Sequence, residues 1–277
     1  MVVPSPTNED SITLSAAFTL VNPLPSPTND PEILLPDTYN EPVITALPLN
    51  GKPAPAPTDE TKKVICEFQK DFPVPLKHLW QEDQGFRKTL ILNQGIETAQ
   101  GEYLVFLDGD CIPQSDFIDQ HLKLSETNHL VTGSRILSNQ ELTKILCTNG
   151  HWSHKKLMAN AVMWGIKGFL NKWLPLFIKL PNYSGRLYKK FEWRRIKGCN
   201  MACWKSDAKA IGGFDESLLG WGHEDADFIF RLQNNGVIRK SGAWATEVIH
   251  LWHKMADKQT AEKNAAIVRA KILAKAK

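Results

Sequence analysis

Residues 93–113 read NQGIETAQGEYLVFLDGDCIP. A helix-like segment closes on Gly101, the apolar run Tyr103–Leu107 has the length of a buried strand, and Asp108, Gly109 and Asp110 follow at its end. Pro113 stops the strand just beyond, because it has no backbone donor to give. A helix that turns through a glycine into a buried apolar strand is the unit of an α/β sheet. In such sheets ligands bind beyond the carboxyl ends of the strands. Two carboxylates one glycine apart at that position suit a hard divalent cation and the hydroxyls or phosphates it carries. The plainer reading of Asp-Gly-Asp is a turn.

A second acidic cluster lies downstream in residues 198–231, GCNMACWKSDAKAIGGFDESLLGWGHEDADFIFR. Trp221 and Gly222 make a bulky anchor and a tight turn, His223, Glu224 and Asp225 follow, and Phe228, Ile229 and Leu232 recur at helical spacing. Glu224 and Asp225 therefore fall in the first turn of a helix. Acids are favoured there in any protein by the helix dipole and the unsatisfied amides, so capping is the competing reading.

Outward from these two motifs the pattern alternates. Helices are expected over residues 61–70, capped by Thr58 or Asp59, then 87–100 and 115–126, the last with Phe117, Ile118 and Leu122 inward. A short helix from Ser206 ends at Gly212, and the acidic helix from Glu224 ends at Gly236. Strands are expected near residues 76–80, 130–136, 200–204 and 247–251. Such alternation predicts an α/β fold with a mainly parallel sheet flanked by helices.

The chain has 277 residues, 42% of them hydrophobic, with nine Trp, enough for a sizeable core in one large domain or two small ones. No run of eighteen apolar residues occurs, and the amino terminus lacks a basic region and a clean apolar signal core. The reading is a cytosolic protein without a membrane span. Cys66, Cys111, Cys147, Cys199 and Cys203 are odd in number and show no Cys-x-x-Cys spacing, which points to buried, reduced thiols.

Residues 1–57 differ from the rest. They hold twelve of the seventeen prolines and one basic residue, Lys52. Such punctuation leaves little room for periodic structure, so this Pro-rich segment is expected to be extended or disordered. Its near-repeat, PSPTNED at 4–10 and PSPTNDP at 25–31, is too short to build a solenoid.

The motifs TDET at 58–61, WQEDQGFRK at 80–88, NQGIETAQGEYLVFLDGDCIP, GCNMACW, GGFDE, WGHED and HLWH occur in this order. In that order the chain resembles the family 2 glycosyltransferases of GT-A fold, and its C-terminal half resembles the galactosyltransferase-type C-terminal module. The resemblance covers residues 58–253 and implies a GT-A, Rossmann-like domain there. The family opens with a strand ending in a Pro-Thr-Tyr-Asn-like turn and a second strand ending in an acidic pair. Neither is recognisable before Thr58, so the sheet is expected to lack its first strands. A frameshifted origin of residues 1–57 is one explanation, and a genuine Pro-rich linker the other.

The resemblance implies transfer of a sugar, with inversion, from a nucleotide-diphosphate donor, a UDP-sugar first, to an acceptor hydroxyl of a cell-surface glycan or glycolipid. Asp110 is the first-choice ligand for Mn²⁺ or Mg²⁺, which would stabilise the departing diphosphate. His250, in VIHLWH, would add a nitrogen ligand; His253, spaced awkwardly for a strand against Leu251 and Trp252, is the weaker candidate. Asp108 would face the donor ribose or share the metal. Gln84, Gly85 and Arg87, in a loop entering a helix, suit a diphosphate. Asn93 aligns with a family asparagine near the donor, although Leu92 replaces the usual arginine before it. Asp225 is the candidate base, because an acceptor hydroxyl must lose its proton as the bond forms. Glu224, Trp221 and Gly222 would bind the acceptor, with plain packing as the other reading of Trp221.

Net charge is only +3, yet residues 152–197 carry eleven Lys or Arg against the single acid Glu192. This insertion also holds Trp152, Trp164, Trp173 and Trp193, and residues 157–180 are amphipathic. Three readings stand: a solvated basic face, an element lying on an anionic membrane at the inner face of the plasma membrane, or a groove for an anionic acceptor. Nucleic acid is the least favoured partner. The basic tail, residues 254–277, is expected to be helical with no catalytic role. Against the enzyme stands a second class of function, a catalytically inactive remnant that binds sugar or membrane without transfer.

Overall fold

A computed structural model of the chain describes residues 14–18, 43–45, 59–71, 76–81, 84–148, 153–254 and 259–275. Most of the Pro-rich segment, Thr58 as a helix cap, and Trp152 lie outside the described residues. In chain order the elements begin with strands β1 (Leu14–Phe18) and β2 (Val43–Thr45), helix α1 (Asp59–Asp71), β3 (Lys77–Leu79), α2 (Lys88–Thr98), β4 (Tyr103–Leu107) and β5 (Cys111–Pro113). Then come α3 (Phe117–Leu124), β6 (His129–Thr132), β7 (Ser134–Leu137), α4 (Gln140–Thr148), α5 (His154–Ile166) and β8 (Leu187–Tyr188). The chain continues through β9 (Asn200–Trp204), α6 (Lys205–Ala210), α7 (Glu224–Asn234), β10 (Ile238–Ser241), β11 (Glu247–His250) and α8 (Gln259–Lys275).

The main sheet has the order β3-β2-β1-β4-β9-β6-β10-β8, and a smaller one the order β5-β11-β7. The architecture is α/β as the alternation predicts, but its parallel character is partial. β1, β2, β3 and β4 pair in parallel and so do β6 and β10, whereas β9 runs antiparallel to both β4 and β6. The reason is topological. After β6 the chain leaves the main sheet for β7 of the small sheet and for α4 and α5, touches the main sheet only at its edge through β8, and then enters β9 from the opposite end.

Two further expectations are corrected. The sheet does not lack strands beyond β4, because β1 pairs with β4 over five residues and β2 joins β1 to β3. The proline-free stretch 11–22, SITLSAAFTLVN, supplies β1, and the overall proline count of the segment hid it. The expected strand near 130–136 is two strands in two sheets, broken at Gly133. A Cβ on Gly133 would lie 2.1 Å from the Asn200 side chain, so only glycine lets the backbone pass there.

β4 is buried along its whole length and divides the core. On one face Leu104 and Phe106 pack with Ile91 and Ile96 of α2 and with Phe228 and Ile229 of α7. Phe214 stacks on Phe228 with centroids 4.0 Å apart. Truncating a ring so placed costs about 3–5 kcal/mol. On the other face Tyr103, Val105 and Leu107 meet Phe117 and Leu124 of α3. A third cluster, Ile136, Leu142, Leu157, Trp164 and Ile249, joins α4 and α5 to the small sheet. All five cysteines are free; Cys111, Cys199 and Cys203 are buried as expected, but Cys66 and Cys147 are exposed. No helix among the described residues is long and apolar enough to cross a membrane.

Candidate active site

The register of the small sheet builds the first half of the site. β5 and β11 are antiparallel with Cys111 opposite His250. Asp110, one residue before the pair, is thereby brought onto β11, where its carbonyl accepts the Leu251 amide at 2.8 Å. Its carboxylate Oδ2 lies 3.1 Å from His253 Nε2 and 3.5 Å from His250 Nε2. β11 ends at His250, so His253 belongs to the following turn and swings back to the side that strand alternation would deny it.

One donor atom from each of Asp110, His250 and His253 lies within 4.8 Å of the others. His253 Nδ1 faces the Lys254 carbonyl at 3.0 Å. If Nδ1 carries the proton, the Nε2 lone pair points at the Asp110 carboxylate, an arrangement that calls for a cation or a second proton between them. Burial lowers the His250 pKa below its ordinary value, against the pull of Asp110, and so favours the neutral ligating form. One carboxylate and two imidazoles fit Mn²⁺, with Mg²⁺ less favoured by nitrogen. His250 also lies near Cys111 and Cys199. The hydrogen bond with Cys199 and burial push the Cys111 thiol well up.

The second half is the start of α7. His223, its N-cap, adopts a left-handed φ of 69° after Gly222 at 109°. A bulky residue in that region is strained and persists only when its surroundings hold it. Here α8 holds the turn. Asn264 Nδ2 donates to the carbonyls of Leu219 (3.2 Å) and Gly222 (3.0 Å), and Thr260 Oγ1 donates to that of Trp221 at 3.2 Å. Lys271 fastens the helix to Asp227 at 2.6 Å, and Asp227 also accepts from Arg231. Asp227 is thus a structural acid, held by ion pairs with Lys271 and Arg231.

Glu224 and Asp225 are held differently. Asp225 Oδ2 accepts the Gly198 amide and Oδ1 the Ala226 amide, both at 2.8 Å. Glu224 is buried, its Oε2 accepts the Gly222 amide at 3.1 Å, and burial with the neighbouring Asp225 raises its pKa to about 7. Trp221 remains exposed beside them, and Trp193 sets its ring edge-on to His223 with centroids 5.4 Å apart.

The two halves are one site. Gly198 holds Asp225, while the next residue, Cys199, accepts the Asp108 amide at 3.2 Å. Lys88, at the first position of α2, donates to Asp108 Oδ1 at 2.8 Å. Burial alone would lower the Lys88 pKa, but Asp108, Glu224 and Asp225 together hold it well above the ordinary value. It is a fixed positive charge between the acids.

The loop at Gln84, Gly85 and Arg87 abuts the turn that precedes α7, since the Phe86 carbonyl accepts the Gly220 amide at 3.1 Å. Asn93 is engaged within the chain. Its Oδ1 accepts the Phe214 amide at 2.7 Å, and its Nδ2 donates to the Phe214 carbonyl and to Glu216. The side chain clamps the GGFDE turn to α2. Sequence reasoning also missed Lys88, Trp193, Thr260 and Asn264. For Lys88 the signal available was its place in WQEDQGFRK, immediately before an apolar helix. α8 carried none beyond Ala- and Lys-richness.

Comparison with known proteins bears on the family and the fold. The E. coli chondroitin synthase is 26% identical over 202 residues, covering 66% of this chain and 28% of that protein. The uncharacterized glycosyltransferase YfnE of Bacillus subtilis is 26% identical over 205 residues, covering 65% and 51%. The chain thus spans between about a quarter and a half of the length of these curated relatives. Among solved structures, GalNAc-T7 with UDP, GalNAc and Mn²⁺ superposes with a TM-score of 0.52 at 14% identity, over 85% of this chain and 43% of that one. The family model for family 2 glycosyl transferases matches residues 56–192, and that for the N-terminal domain of galactosyltransferase matches residues 182–254. With these two matches adjoining over the region that holds the site, the chain belongs to the family 2 glycosyltransferases of GT-A fold and carries a galactosyltransferase-type module in its C-terminal half.

Proposed function

We propose that the chain is an inverting, metal-dependent glycosyltransferase that moves a sugar from a nucleotide diphosphate, with UDP the first choice, to a hydroxyl of a cell-surface glycan or glycolipid. The observation that carries this reading is the junction at Gly198 and Cys199, which ties the strand end carrying Asp108 and the carboxylate and histidine cluster to buried Glu224 and half-buried Asp225. Asp110, His250 and His253 are the residues that would hold Mn²⁺ or Mg²⁺. A cation there supplies positive charge to the diphosphate oxygens as the bond to the sugar breaks. The solved protein of like fold was crystallised with UDP and Mn²⁺, which supports this choice.

The remaining steps fall to the chain's own residues. Asp225, fixed by two backbone amides, accepts the acceptor's hydroxyl proton while that oxygen bonds the anomeric carbon. The electron pair of the carbon to phosphate-oxygen bond leaves with the diphosphate, and Lys88 beside Asp108 adds fixed positive charge on that side. Attack opposite the leaving group inverts the centre. Glu224, near half-protonated at neutral pH, can both donate to and accept from acceptor hydroxyls, and Trp221 offers a face for a sugar ring. The occupied positions of β1 and β2 beside β4 support an enzyme over a remnant.

The test is release of UDP from a panel of UDP-sugars, with oligosaccharide acceptors and Mn²⁺. Transfer by the wild type that is lost in Asp225→Asn supports the proposal. Absence of transfer and of donor hydrolysis across UDP, GDP and TDP sugars would favour the remnant.

A further inference from the structure

The region of residues 154–183 is seated in the protein on one side and bare on the other. Leu157, Ala161 and Trp164 of α5 face inward and share a core with Ile136, Ile249 and Leu176. The opposite face of α5 shows Val162, Met163 and Ile166, the last 73% exposed. The turn that follows adds Leu174, Phe177 and Ile178, all exposed. Gly165 brings the two parts together, since a Cβ there would lie 1.9 Å from the Trp173 ring, and that ring meets Phe177 edge-on. The exposed residues are not on a loose loop. Arg186 is buried and donates to the carbonyls of Leu180, Pro181, Ser241 and Ala243, and the Leu180 amide donates to the Trp244 carbonyl.

Charge completes the pattern. Helical spacing puts Lys155 in line with Val162 and Ile166, and Lys156 in line with Met163 and Lys167. The apolar face is therefore bordered by exposed lysines at both ends of α5. The only acid in residues 152–197 is Glu192. A protein partner would need acids matched to a rim of fixed shape, and a soluble polyanion would leave six large apolar side chains in water. The boundary of an anionic bilayer satisfies both features, with apolar side chains among the acyl ends of the headgroups and lysines at the phosphates.

We propose that this face of α5 and residues 174–178 docks the protein on the surface of an anionic phospholipid membrane. The consequence for the reaction is positional. Ile112 and Ile249, which flank Asp110 and His250 in sequence, pack against the inner side of this same layer. The candidate metal site is thereby held about one helix layer, roughly 10 Å, from the docked face. An acceptor anchored in the membrane would be presented at short range.

The full-length chain is sedimented with vesicles of phosphatidylcholine containing about 30% phosphatidylglycerol, and with pure phosphatidylcholine, at low salt and at about 1 M salt, where screening is nearly complete. Binding to the anionic vesicles alone, lost at high salt, is expected. Lys156→Glu/Lys167→Glu should weaken it at least 25-fold, at roughly fivefold per lysine near an anionic surface. Met163→Glu/Ile166→Glu should weaken it at least tenfold, with an unchanged melting curve because both side chains are more than half exposed. Absence of wild-type binding at low salt overturns the proposal. So does loss in the lysine variant with none in the apolar variant, which is the behaviour of a solvated basic face. Transfer to a soluble oligosaccharide is unaffected by either variant, so a failure here is separate from a failure of the transferase reading.

Discussion

The two acidic clusters of the site differ in what answers their charge. Around Asp110 the answering groups are two imidazoles, one of them kept toward the neutral form by burial. Around Glu224 and Asp225 they are the backbone amides of Gly222, Gly198 and Ala226, with Lys88 behind them. The Asp110 carboxylate beside a His250 held toward neutrality leaves room for the positive charge that a divalent cation would supply. In the second, one lysine is shared among three acids and Glu224 is raised toward neutral pH, which suits groups that hold and move protons. Residue type alone does not separate these roles, since both clusters are carboxylates in turns.

The sharpest way to separate them is Asp225→Asn. Removing the base should lower transfer by about 10²–10⁴-fold while metal-dependent UDP affinity stays within about twofold of wild type. Loss of both together would mean that the clusters are not divided as described.

Glu224 tests the proton-holding side through stability. Burial and Asp225 hold its folded pKa at about 7 against an ordinary 4.5. A carboxyl raised on folding gives stability that is complete below the ordinary value and lost as pH rises through about 7. Wild type should therefore weaken between pH 4.5 and 7 by on the order of 3 kcal/mol from this group. Glu224→Gln lacks that slope, so its melting temperature should gain on wild type as pH rises from 5 to 8. Parallel curves would contradict the assignment.

Asn264→Ala probes the clamp that holds the left-handed turn before Glu224. Two carbonyls lose their donor, for a cost of about 1–2 kcal/mol, and the acceptor KM should rise more than kcat falls because the acceptor turn loosens. The smallest effect belongs to His253→Ala. As one ligand of three, and the more exposed histidine, it should cost roughly tenfold in Mn²⁺ affinity, measured by titration in the presence of UDP.

Much of this was legible in the sequence where local pattern decides. Tyr103–Leu107 and Asn200–Trp204 lie where apolar runs of strand length put them, and the carboxylates of WGHED do open a helix. What stayed hidden depends on register between distant segments. Asn93 finds its partners 121 and 123 residues away in the GGFDE turn, a clamp that no local pattern announces. The antiparallel entry of β9 follows from a long excursion that no periodicity reports. His253 reads poorly as a strand residue because the strand ends before it. α8 looks like a solvated basic tail, yet Thr260 and Asn264 fasten the acceptor turn.

The central claim is that Asp110, with His250 and His253, holds a divalent cation on which a nucleotide diphosphate rests. Isothermal titration of UDP into the protein with and without Mn²⁺, for wild type and Asp110→Asn, tests it most directly. The account predicts affinity that requires Mn²⁺ in the wild type and disappears in Asp110→Asn; UDP binding equal in both proteins, or unaffected by Mn²⁺, would contradict it.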